Sequence, residues 1–311
     1  MPELPDVTVY IESLRPRVVG QVLEKVRVAN PFVLRSVDPP LAELEGKQVT
    51  GVRRMGKRIV LELEGELFLV VHLMIAGRLR WKPLGGKVKV PPSLVLAELA
   101  FPTGTLVLTE AGSKRRASLH AVRGTDGLTP FDRGGLEPLD ATRDAFASRL
   151  RLENHTLKRA LTDPRLFSGI GNAYSDEILH RARLSPLALT ARLTDDDVDR
   201  LHTATSHTLA EWTRRLRAEV GDGFPEKVTA FRADFAVHGR YRLPCPDCGA
   251  PVQRIRYAEN ETNYCATCQT GGRLLADRAM SRLLRQDWPR SLAALEEHVE
   301  SRTVRREGGP G

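Results

Sequence analysis

This chain lacks the marks of a secreted or membrane-embedded protein. No run of apolar residues is long enough to span a bilayer. The opening MPELPDVTVY has neither a basic start nor an apolar core, so no signal peptide is expected. All four cysteines fall between positions 245 and 268, which argues against a disulfide framework and for an intracellular protein. There is no long internal repeat. No βαβ pattern surrounds the cysteines either, which weakens a redox reading of them.

What is present is length and positive charge. At 311 residues the chain can hold two domains. Its 47 Lys+Arg against 39 Asp+Glu give a net charge of +8 and a pI near 9.6. That balance favours a polyanionic partner, nucleic acid first.

The first part of the chain reads as short strands. Residues 5–14 suit an amphipathic helix with Val7, Tyr10, Ile11 and Leu14 on one side, ended by Pro16. Alternation then runs through Val22, Val26 and Val28, through Ile59, Leu61 and Leu63, and through Leu67, Leu69 and Val71. Residues 94–99 and 106–108 form a further strand pair around Thr103-Gly104. This pattern predicts a β-sandwich or barrel. Residues 125–139, rich in Gly and Pro, read as a linker. Beyond them the chain turns helical over 140–152 and 194–217. Thr194 and Asp197 form a capping box, and Val198, Leu201, Leu209, Trp212 and Leu216 form a buried stripe.

Residues 157–179, LKRALTDPRLFSGIGNAYSDEIL, read as two helices joined by a glycine turn. Asp163-Pro164 stops the first, and Asn172 is the expected N-cap of the second. Free amides at that helix start, with Lys158 and Arg159 nearby, suit a phosphate.

The sharpest chemical signal is C-x2-C-x16-C-x2-C, formed by Cys245, Cys248, Cys265 and Cys268. Four thiolates at this spacing make a closed tetrahedral zinc site with no open position, hence one structural Zn2+ ion. The loop between the pairs carries Arg254 and Arg256, which suits a two-stranded finger reaching a nucleic acid.

Taken in order, PELPDV at the start, MGKR around Lys57, HLMIAGRL at His72, the glycine turn and the cysteine finger resemble the formamidopyrimidine-DNA glycosylase and endonuclease VIII family. The resemblance covers roughly residues 2–270. It implies an α+β fold: an N-terminal β-sandwich catalytic domain (1–124), a linker (125–139), a helix-two-turn-helix DNA-binding domain (140–232) and a zinc finger (233–270). A helical extension and tail (271–311) follow, with helices over 274–288 and 291–301 and a disordered end. DNA would lie in the cleft between the domains. The resemblance further implies a bifunctional DNA glycosylase and abasic-site lyase that acts on damaged double-stranded DNA as a monomer. It would be cytoplasmic, associated with the nucleoid and independent of membranes. Removal of Met1 would leave Pro2 as a secondary-amine nucleophile, with Glu3 as acid/base partner and Lys57 holding a phosphate or donating a proton near the lesion. His72, Arg115, Lys158, Gly171, Asn172 and Arg256 would bind DNA.

The chain departs from the family pattern at several points. Asn260 stands where the family's finger arginine is usual, five residues before the third cysteine. Ile75 takes the place of an inserted methionine, with Met74 beside it, and Arg115-Arg116-Ala117 replaces an Arg-Arg-Phe wedge. Asp6 replaces a glutamate, and residues 221–237 are shorter than the usual lesion-capping loop. A weaker wedge implies a changed opposite-base or lesion preference. It also keeps open a second function, binding of DNA lesions or abasic sites without turnover.

Overall fold

The computed structural model describes residues 1–86, 90–112, 114–226, 228, 232–257, 260–275, 291, 292 and 294. The expected C-terminal helices and tail fall, but for a few positions, outside the described residues. The chain divides into two compact units. The first is Met1–Asp140, Asp163–Ile170 and Leu209–Ala230; the second is Ala141–Thr162, Gly171–Thr208 and Phe231–Gly311.

The first unit opens with helix α1 (Leu4–Val18), then strands β1 (Lys25–Val28), β2 (Val49–Met55), β3 (Arg58–Leu63), β4 (Leu67–His72), β5 (Gly77–Pro83), β6 (Val95–Phe101), β7 (Gly104–Glu110) and β8 (Ser118–Arg123). They form two four-stranded sheets, ordered β1-β6-β7-β5 and β2-β3-β4-β8, with every pairing antiparallel. Inward residues of both sheets, among them Leu61, Leu69, Leu99, Leu106 and Leu108, share one core with Val7, Tyr10, Ile11 and Leu14 of α1. The expected sandwich is therefore present.

Strand β4 is buried on both faces. Leu69 and Val71 face the main core, whereas Phe68 and Val70 pack with Val60, Val122 and Leu128. Leu128 lies in a 3-10 segment, Asp126–Phe131, inside the stretch that reads from sequence as a linker.

Helix α1 does not end at Pro16, as its sequence suggests, but runs on to Val18. A proline in a helix interior costs about 3 kcal/mol. Burial of Val18 offsets most of that, at about 2 kcal/mol for a valine side chain. Arg15 Nε also donates to Val52 O at 3.1 Å.

The second unit contains α2 (Arg143–Leu150), α3 (Leu157–Thr162), α4 (Asn172–Ala182) and the first half of α5 (Asp195–Val220). The finger follows, with β9 (Gln253–Tyr257), β10 (Asn260–Tyr264) and α6 (Ala266–Thr270). Helix α2 starts three residues later than its sequence suggests, because Thr142 Oγ1 accepts the Ala145 N–H at 3.3 Å and fixes the start. The capping box of α5 forms as expected: Thr194 Oγ1 accepts from Asp197 N, and Asp197 Oδ2 accepts from Thr194 N. Its five stripe residues are all buried.

Candidate active site and zinc centre

The head of the chain is built into the first unit. Pro2 and Glu3 are buried, and Glu3 is only 2% exposed. Glu3 is the N-cap of α1: its N–H donates to Asp6 Oδ2 at 2.9 Å, and its carboxylate accepts the Asp6 N–H in return. The Asp6 substitution thus retains a reciprocal capping box. Leu4 N–H donates to Gly169 O at 2.9 Å. Gly169 has φ +79°, and a Cβ there would lie 2.8 Å from Leu4 Cβ and 3.0 Å from Arg54 Nη1. Glycine is needed at that position for both backbone angle and space.

Lys57 sits in the tight β2–β3 turn. Arg54 braces that turn: Nη1 donates to Gly56 O at 2.8 Å and to Ser168 Oγ at 3.2 Å, and Nη2 pairs with Glu137. The terminal amine, here that of Met1, has its pKa lowered, chiefly by burial and further by the Arg78 and Lys57 charges, against the pull of Glu3 and Asp6. Arg78 escaped the sequence reading. It lies on β5, where Nη1 donates to Ile75 O at 3.1 Å and to Gly77 O at 2.7 Å. Its signal is weak: one of several basic residues alternating with Leu79 and Trp81.

His72 ends β4 and pairs in register with Arg58 and Ser118. Burial, with the Arg58, Lys57 and His120 charges, pushes its pKa down to about 4. At neutral pH it is an uncharged N–H donor, not a cation. After it, Met74 takes a left-handed backbone (φ +51°), and Ile75 is turned out, 57% exposed. Arg115 is exposed, and its Nη2 donates to Ser93 O at 2.6 Å. The loop that carries it is clamped by buried Glu110, whose carboxylate accepts the N–H groups of Arg116 (2.9 Å) and Ala117 (3.0 Å). Ala117 itself is buried and presents no wedge.

In the second unit, the N-cap of α4 is Gly171, not Asn172, which is the first helical residue. Gly171 has an extended backbone (φ −134°, ψ −155°), as an N-cap requires. Asn172 is freed for another bond: Nδ2 donates to Glu261 O at 2.9 Å. Lys158 Nζ donates to Asn172 O at 2.7 Å and to Asp176 Oδ1 at 2.5 Å. Asp176 is fully buried, and its other oxygen takes the Asn263 N–H (3.2 Å) and pairs with His238 Nδ1 (2.8 Å). Glu177 accepts the N–H groups of Ala236, Val237 and His238, and burial raises its pKa against these donors. Sequence reading missed both acids. Their signal, two carboxylates on a helix beside Tyr174 and Ile178, reads as a solvated face until the fold buries it.

In the finger, Arg256 is exposed on β9 opposite Glu261, while Arg254 stacks on Tyr241 at 4.1 Å and lies 3.5 Å from the Glu261 carboxylate. The four cysteine sulfurs lie within 4.8 Å of one another. Cys245–Cys268 and Cys248–Cys265 are separated by 3.9 and 3.4 Å. A tetrahedron with Zn–S bonds of about 2.3 Å has edges of about 3.8 Å, so the donor set fits one zinc ion. Without a metal, burial pushes the Cys265 thiol up to about 11. A cation is what makes four such thiolates stable together.

Comparison with known proteins agrees with each part. The family model for the formamidopyrimidine-DNA glycosylase N-terminal domain matches residues 1–124, the model for its H2TH domain matches 135–218, and that for the zinc finger found in FPG and IleRS matches 242–271. The formamidopyrimidine-DNA glycosylase of Thermus thermophilus is 36% identical over 286 residues, spanning 88% of this chain and all of that protein. The chain belongs to the formamidopyrimidine-DNA glycosylase family. Among solved members, the MutM (Fpg) protein of Thermus thermophilus superposes with a TM-score of 0.72 at 36% identity, covering 86% of this chain and 98% of that one. The Lactococcus lactis glycosylase bound non-covalently to DNA containing an AP site gives 0.73 at 26% identity, covering 86% and 99%. As in the family's finger domain, the four cysteines hold one structural zinc. No helix among the described residues is long and apolar enough to cross a membrane.

Proposed function

We propose that this glycosylase releases damaged bases from double-stranded DNA and then cleaves the abasic site, with Pro2 as nucleophile and Glu3 as acid/base. The observation that carries the proposal is the buried chain head, where Pro2 and Glu3 are enclosed and where burial, with the Arg78 and Lys57 charges, lowers the pKa of the amine that Met1 carries; the same surroundings act on the Pro2 amine once Met1 is gone. A lowered amine pKa means more neutral amine, hence more nucleophile, at neutral pH. After Met1 is removed, the Pro2 nitrogen attacks C1′ of the deoxyribose. The bond from C1′ to the base breaks, and the base leaves with the electron pair and a proton. Glu3 takes the nitrogen's proton and delivers it to the ring oxygen O4′ as the sugar opens, the base takes its proton from water, and the nitrogen becomes a cationic iminium. That electron sink acidifies C2′, so the 3′ and then the 5′ phosphate leave by β- and δ-elimination.

Lys57 and His72 suit contacts to phosphates beside the lesion, His72 as a neutral donor. Lys158, Gly171, Asn172, Arg115 and Arg256 suit further backbone contacts. With no aromatic residue at Ala117, the exposed Ile75 is the apolar side chain that best suits filling the space left by a flipped base. The protein acts as a monomer, associated through its DNA substrate with the nucleoid.

Borohydride trapping on a duplex with one abasic site tests this reading. A covalent adduct mapped to Pro2, and absent from Pro2→Gly, is expected. An adduct at another residue, or none from a chain whose Met1 has been removed and which still binds the DNA, would overturn the assignment of Pro2.

A further inference from the structure

One buried side chain on α4 has no part in the proposed chemistry. His180 is 4% exposed, and its Nε2 lies 3.2 Å from Cys245 Sγ and 4.0 Å from Asp247 Oδ2. It continues a stripe. Asn172, Asp176 and His180 are spaced i, i+4, i+8 on α4, and each bonds to the finger: Asn172 to Glu261 O, Asp176 to Asn263 N and His180 to Cys245.

We propose that His180 is part of the zinc centre as an outer-sphere donor, its Nε2–H bonded to the Cys245 thiolate. A zinc-bound thiolate can only accept, so Nε2 must carry the hydrogen. Four thiolates on Zn2+ leave two negative charges in a partly buried site, and an N–H directed at one sulfur draws off part of that charge. His180, Asp247 and Cys268 also place donor atoms within 4.8 Å of one another. The four sulfurs already complete the tetrahedron, however, so the imidazole stays outside it. His180 is thus a positioning residue. It makes retention of the metal depend on α4, and the setting of α4, with Asn172 at its start, depend on the metal.

The test uses the full-length, zinc-loaded protein. His180→Phe fills the space without a donor, and His180→Gln keeps an N–H near the Nε2 position. Zinc transfer to a chromophoric chelator should be about tenfold faster or more for His180→Phe, and within about threefold of the parent for His180→Gln. In the cobalt-substituted protein, the thiolate-to-metal charge-transfer band should move to longer wavelength for His180→Phe only. Should His180→Phe fail to fold, His180→Leu replaces it with the same expected results. Zinc release at the parent rate from the donor-less variant would overturn the proposal. So would equal release from the Gln and donor-less variants, since packing alone would then hold the metal.

Discussion

His72 shows how a single residue changes its meaning once its surroundings are known. On a strand facing DNA it would pass for a cationic phosphate ligand, yet burial and three neighbouring positive groups hold its pKa at about 4. The unfolded chain binds a proton at His72 below about pH 6.5, whereas the folded chain does not until about pH 4. Stability therefore falls as pH drops through this window. Between pH 7 and pH 5 the His72 contribution should be about 2 kcal/mol. Urea midpoints at the two pH values, for the parent and for His72→Gln, check this: the variant should lose less stability on acidification, and equal losses would contradict the assignment. Gly169 is a second such case. Gly169→Ala should cost about 1–3 kcal/mol through its left-handed backbone and the close approach of Leu4. It should also lower borohydride trapping at Pro2 more than it lowers DNA affinity, because its carbonyl holds the first turn of α1. Equal loss of both would mean that the strain spreads beyond the chain head.

Helix α4 carries more of the second unit than its length suggests. Asp176 joins Lys158, His238 and β10 through one buried carboxylate. Removing one partner of a buried ion pair leaves the other uncompensated, so Asp176→Ala should cost about 3–5 kcal/mol in unfolding free energy. A loss below about 1 kcal/mol would show that water replaces the carboxylate at no cost. Elements of this kind divide the chain into what could be read beforehand and what could not. Strands β1, β3 and β4 declare themselves by alternation, β6 and β7 as a pair around Thr103-Gly104, α5 by its capping box, and the metal centre by cysteine spacing. Strand β5 rests on Leu79 and Trp81 among basic residues, too thin a period to mark it, and β2 and β8 were missed as well. In the proposed site, Pro2, Glu3 and Lys57 are singled out by motif order. Asp176 and Glu177 are not, because their partners lie far away in sequence: His238 is 62 residues from Asp176. Arg78 and Glu110 bond to near neighbours, but to backbone groups whose placement no motif or period marks. Only the fold brings such groups together.

At the scale of the whole molecule, the excess of basic residues sets the dependence on salt. If the proposed phosphate contacts form, the logarithm of affinity for duplex DNA should fall linearly with the logarithm of salt concentration, losing about 0.9 in slope per contact. Lys158→Ala should reduce that slope by about one. A slope unchanged from the parent would remove Lys158 from the contact set. The folding of the N-terminal region is also tied to late parts of the chain. Leu4 waits for Gly169, 165 positions later, Arg54 waits for Ser168, and Glu12 pairs with Arg217. On a ribosome moving at about 5–20 residues per second, roughly 8–33 s separate synthesis of the first turn from synthesis of the carbonyl that fastens it. Through that interval the nascent head stays accessible to any enzyme that acts on the chain terminus, and afterwards burial closes it. The order of translation thus leaves a window in which removal of Met1, which the proposed role of Pro2 requires, precedes enclosure of the chain head.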